Sequence, residues 1–227
     1  MSNYTMKRHQ KGFTLVEIAI VLVIIGLLLG GVLKGQELIN SAKVKNLATD
    51  FRNVPVFIYG YQDKFKRLPG DDLEAASRFT GTGTTIINGA GGGTLVGAWD
   101  DAASAATTPE TALFWQHVRA ANLAPGSTDM TSPATASLPT NAEGGRFGIQ
   151  MAAPIAGMTG SYFACSTGIP FALAQQLDLA LDDGKGVSGN MRAVAIGTST
   201  NSAPGNPATP VSAEYANGTS YTVCQSF

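Results

Sequence analysis

Glu17 is the one charged residue in the run FTLVEIAIVLVIIGLLLGGVL, which extends from Phe13 to Leu33. A carboxylate inside a bilayer costs about 2.5 kcal/mol or more unless it meets a partner or a proton. Two readings of Glu17 follow. It lies near a membrane edge and reaches water or headgroups, or it pairs with a cation. A cut between Gly12 and Phe13 would supply that cation, because it creates an amino group on Phe13, four residues before Glu17. One subunit's Glu17 could then neutralise the Phe13 amine of a neighbour, and such a pair would set axial register between subunits.

Other groups able to do chemistry are few. Cys165 and Cys224 are the only cysteines, and they lie far apart. Structural zinc sites use close Cys or Cys/His pairs, so a disulfide formed in an oxidising compartment is the better reading. Beyond residue 12 the only histidine is His117, and no G-x-S-x-G motif or Ser/His/Asp spacing accompanies it. The expectation is packing or a surface position for His117, and no enzymatic activity. The pairs Asp71/Asp72, Asp100/Asp101 and Asp182/Asp183 offer oxygens to calcium, but no twelve-residue EF-hand loop frames them. They read as solvated loop acids or helix stops, and no cofactor is expected. The glycine-rich NGAGGGTLVGAW lacks the G-x-x-x-x-G-K-[ST] pattern of a phosphate cradle. Lys64, Lys66 and Arg67 form the one tight basic cluster, which a solvated helix end explains as well as a nucleic-acid contact does.

The elements that carry these residues begin with the apolar run. Its 21 residues would span roughly 30 Å as a helix, enough to cross a bilayer. A secretory signal would end in a small-residue cut site, whereas here Lys7, Arg8, His9 and Lys11 lead directly to Gly12 and the apolar run follows it. Cutting at Gly12 leaves the anchor on the mature chain. The basic flank predicts residues 1–12 in the cytoplasm and the bulk of the chain outside. Removing Lys7, Arg8 and Lys11 from the 15 basic residues leaves 12 against 16 acidic, a net charge of −4 that gives no general attraction to nucleic acid. Gly26 with Gly30, and Gly31 with Gly35, form two G-x-x-x-G spacings. These either let helices approach closely or reflect the abundance of glycine in membrane helices.

Beyond the span, Leu38, Ile39, Ala42, Leu47, Phe51, Val54, Ile58 and Phe65 keep a helical stripe to about residue 66, with a bend expected at Pro55. Pro69, Gly70, Asp71 and Asp72 stop it, and a Gly/Thr/Ala-rich loop follows to about Ala106. A short helix is predicted from Thr108 to Ala121, with Pro109 in its first position and Phe114, Val118 and Ala121 facing inward. Strands are predicted at Arg146 to Ala152, Ser161 to Ala164, Arg192 to Ile196 and Ser220 to Gln225, with a helix over Phe171 to Leu181. An antiparallel sheet laid on the second half of the long helix gives an α+β fold, in which Cys165 ends the second strand and a bridge to Cys224 ties down the C-terminus. The chain thus divides into a leader (1–12), a membrane-spanning and filament-core helix (13–33), the outer half of that helix (34–66) and a globular head (67–227).

KGFTLVEIAIVLVIIGLLLGG resembles, almost residue for residue, the N-terminal signature of type IV prepilins and of type II secretion pseudopilins. The resemblance covers about 25 of the 227 residues. It implies a prepilin peptidase cut between Gly12 and Phe13, N-methylation of Phe13, and a role for Glu17 in processing, methylation or subunit docking. It also implies a helical filament of like subunits, an inner-membrane assembly platform as partner, and passage from the inner membrane to a periplasmic or extracellular filament. One departure is the absence of proline between Phe13 and Val54, where many major pilins carry one. Gly26, Gly30, Gly31 and Gly35 would supply flexibility or close packing instead. In pilins a C-terminal disulfide often bounds a variable surface region, which the resemblance places at Ser166 to Val223. FKRLPGDD, ALFWQHVRAANLAPG and LDLALDDG are similar to segments of other pilin-like proteins, and lean away from the major secretion pseudopilin. A pilus subunit is the expected function, a secretion pseudopilin the alternative, and a minor pilin acting in adhesion or DNA uptake a third.

Overall fold

The structure, a computed structural model, describes residues 12–101, 108–130, 138–197 and 214–227. The leader to Lys11 and the end of the glycine-rich loop lie outside those residues, as do residues 198–213 between the cysteines. Two compact units divide the chain, Met1–Ala42 and Lys43–Phe227. The division falls inside the first helix, α1 (Leu15–Phe65).

In the first unit every residue from Phe13 to Leu33 is exposed, the start of α1 included. In the second unit α1 buries Val44, Leu47, Ala48, Phe51, Val54, Ile58 and Tyr61, which fall along one face at the three- and four-residue spacing of a helix, with Ala48 beside Leu47. The expected stripe therefore starts later than its sequence suggested. Leu38 and Ile39 are 61% and 58% exposed, and Val44 and Tyr61 join the buried face. Pro55 does not end the helix, which continues ten residues beyond it to Phe65.

The buried face of α1 meets three other elements. Helix α3 (Glu110–Ala120) contributes Phe114, Trp115 and Val118, and helix α4 (Phe171–Leu181) contributes Leu173, Ala174 and Leu177. The sheet comprises β1 (Phe147–Gln150), β2 (Phe163–Pro170), β3 (Met191–Ala195) and β4 (Ser220–Ser226), antiparallel in the order β1-β2-β4-β3. Alternation along the strands sends Phe147, Ile149, Ala164, Met191, Ala193, Tyr221 and Val223 to the helical core. Phe163, Cys165, Val194 and Cys224 point to the other face, where Trp99, Ile155 and Met158 cover them. Gly148 makes that cover possible, because a Cβ there would lie 1.8 Å from the Trp99 carbonyl oxygen. The long helix and small antiparallel sheet make this the expected α+β fold.

Several boundaries differ from the sequence reading. β2 runs on to Pro170 through an irregularity between Ser166 and Ile169, so Cys165 sits inside the strand rather than at its end. The bulged stretch carries Thr167 and Gly168, which read locally as a turn. α3 starts at Glu110 with Pro109 as its N-cap, and all eleven of its residues are buried, not only an inward stripe. The loop after α1 holds a four-residue helix, α2 (Ala75–Arg78), too short to leave a periodic signal.

Candidate functional site

Thr14 and Glu17 open α1 with a reciprocal pair. The Thr14 amide and hydroxyl both donate to Glu17 Oε2, at 2.8 and 2.7 Å, and the Glu17 amide reaches Thr14 Oγ1 at 3.3 Å. This T-x-x-E arrangement is a capping box, which satisfies backbone donors that have no carbonyl partner in the first turn. Glu17 thus has a partner within its own chain. Neither water at a membrane edge nor a neighbour's amine is this partner, and its signal in the sequence is a threonine three residues before a glutamate at the head of an apolar run. The cap occupies Oε2; no described residue bonds Oε1.

Around this start the chain is open. Phe13 is 84% exposed, and a Cβ built on Gly12, Gly26, Gly30, Gly31 or Gly35 would meet nothing within 4 Å. Both G-x-x-x-G pairs thus leave the backbone bare where another helix could approach. α1 is long and apolar enough at this end to cross a membrane. This segment offers an exposed Gly12–Phe13 pair and, in Glu17, a carboxylate with one oxygen that no described residue bonds.

Elsewhere the candidates serve the fold. Cys165 and Cys224 face each other in register on β2 and β4 and are bonded to each other. His117 is fully buried. The Gly70 amide donates to its Nδ1 at 2.9 Å, so Nε2 carries the proton and donates to the Ile87 carbonyl at 2.8 Å. Burial pushes its pKa below the ordinary value. A buried ring with both nitrogens occupied packs the core and ties two loops to α3.

The acidic pair Asp71/Asp72 corrects the solvated-loop reading. Both are buried. Asp71 accepts from the Gly92 and Gly93 amides at 2.9 and 2.5 Å. Asp72 accepts from the Tyr61 hydroxyl and the Glu74 amide, each at 2.9 Å, and pairs with Arg78 at 3.2 Å. These carboxylates pin the glycine-rich loop and the end of α1 together. Asp101 caps its own turn through the Ala98 amide. Asp182 and Asp183 come within 4.8 Å of Asp178, a spacing that could hold a cation. Their oxygens accept from the Met191 and Lys185 amides and the Ser188 hydroxyl, and those of Asp178 from the Gly184 amide and the Tyr215 hydroxyl. In the basic cluster, Lys66 pairs with Asp63 at 3.1 Å and the Lys64 ammonium stands 5.1 Å from the Phe65 ring centroid.

Residues 7–33 match a family described as the prokaryotic N-terminal methylation motif. The match contains Gly12, Phe13 and Glu17, and it supports the type IV pilin or pseudopilin signature. No curated protein and no solved structure matches the chain.

Proposed function

We propose that this chain is a structural subunit of a type IV pilus or pilus-like filament. The observation that carries the reading is the methylation motif over residues 7–33, on a helix whose side chains from Phe13 to Leu33 are all exposed. An apolar surface of that extent needs cover, and lipid followed by sister helices supplies it. The chain enters the inner membrane by this helix with residues 1–12 in the cytoplasm. Prepilin peptidase cuts between Gly12 and Phe13, and the Phe13 amine is methylated. The assembly platform then moves subunits from lipid into a helical bundle. That exchange is nearly neutral hydrophobically, so close packing at the glycines and the Glu17–amine pair give it specificity while a separate motor supplies the work.

A secretion pseudopilin shares this N-terminus. The disulfide and the Thr/Ala/Gly-rich loops favour a surface filament, where an oxidised, externally displayed head is at home. The reading is tested by Gly12→Val in cells with the native processing machinery. The expected result is a chain that keeps residues 1–12 and is absent from sheared surface filaments. Normal processing and normal filaments in that variant would overturn it.

A further inference from the structure

A cavity of about 460 Å³ lies at the end of α1, lined by Gln62, Lys66, Arg67, Leu68, Tyr162 and Asp71 with the Gly91 and Gly93 backbone. We infer that it binds a small hydroxylated carboxylate, a sugar acid of the hexuronate class.

Its charges give the first reason. Lys66 and Arg67 are the two cations in the lining and Asp71 the one anion. Asp71 is committed to the Gly92 and Gly93 amides, one on each oxygen. Among the described residues Lys66 pairs only with Asp63, and both are highly exposed, so a competing carboxylate can displace that contact. No described residue bonds or pairs with the Arg67 guanidinium, which is the group best shaped to take a carboxylate through two parallel bonds.

The backbone gives the second. Lys66 adopts φ 56°, the left-handed conformation at the position after α1 where glycine is usual. A lysine there is held against a local steric cost, and it lines the cavity. The neutral lining gives the third. Gln62 and Tyr162 offer an amide and a phenol to hydroxyl groups, and Leu68 is the one aliphatic side chain in the lining. A peptide segment would want a larger apolar anchor, and a nucleic acid a longer basic track. Two cations, two neutral polar groups and space for one or two rings suit a sugar acid.

The test is calorimetric titration of the full chain in detergent with sodium glucuronate. For a ligand of this size a Kd of about 1 mM is expected. Arg67→Gln should weaken it about tenfold or more, as loss of a charged hydrogen bond does, and Tyr162→Phe should weaken it less. Lys64→Gln should leave it unchanged, since Lys64 is outside the lining. Glucose should not bind. Saturable glucuronate binding that Arg67→Gln leaves intact would overturn the inference, as would equal weakening by Lys64→Gln. So would tighter binding of acetate or a tri-glutamate peptide, or no binding by a chain whose tryptophan fluorescence shows it folded. Arg67 is exposed, so its replacement leaves the fold in place as a valid comparison.

Discussion

Glu17 has one partner in its own chain, and the proposed function gives it a second. Its Oε2 caps α1 through Thr14, while Oε1 is free of described contacts. The cap lets the carboxylate hold a fixed position at the helix start, and in the proposed filament a neighbour's Phe13 amine would approach the other oxygen. Glu17→Gln keeps a capping acceptor but removes the charge, so it should be processed normally and fail to enter filaments; Thr14→Ser should assemble normally. Electron microscopy of sheared fractions checks both, and full assembly of Glu17→Gln and Glu17→Ala would rule out charge pairing. His117 makes a different residue-scale prediction. Its folded pKa lies below the unfolded value of about 6.5, so its contribution to stability is present above that pH and is lost as pH falls. Asp50, pushed up to about 6 by burial, acts oppositely between its ordinary value of 3.8 and 6. The His117 part is therefore read as a difference. Between pH 7 and 5 the unchanged chain should lose more stability than His117→Asn, which keeps an acceptor and a donor but does not titrate. Parallel losses, followed by the fluorescence of the buried Trp99 and Trp115, would contradict the neutral, doubly bonded His117.

Among the elements, those with a repeating signal were legible. The face of α1 from Leu47 to Ile58, α4 over Phe171–Leu181 and the four strands all follow from spacing in sequence. What escaped depends on contacts distant along the chain. Leu38 and Ile39 continue the apolar pattern, and only tertiary packing determines that burial begins at Val44. The bulge hid the second half of β2. Asp71 and Asp72 looked like surface acids because their partners, from Tyr61 to Gly93, are brought together only by folding. The disulfide belongs to this scale too. It joins residues 59 apart across adjacent strands, beneath the Trp99 cover. Loop-closure entropy for that separation corresponds to about 4 kcal/mol, so the Cys165→Ala/Cys224→Ala chain should unfold at clearly lower urea, with β4 and the C-terminus exchanging amide hydrogens first. An unchanged midpoint would show that the packing around the sulfurs, rather than the bond, holds the two central strands together.

Seen as a whole molecule, the chain joins a segment with no cover of its own to a unit with a complete core. Residues 13–33 expose Leu15, Leu27, Leu33 and every apolar neighbour between them, whereas Leu47, Phe51, Val54 and Tyr61 on the same helix are wholly buried. That contrast, together with the motif over residues 7–33, is why a cleaved and polymerised subunit accounts for the sequence better than an ordinary anchored domain. The mass of the N-terminal peptide from sheared filaments or membranes, in cells with the native machinery, tests this most directly. A peptide beginning at N-methylated Phe13 is the predicted result; an intact Met1 end, or a cut at another bond, would contradict it.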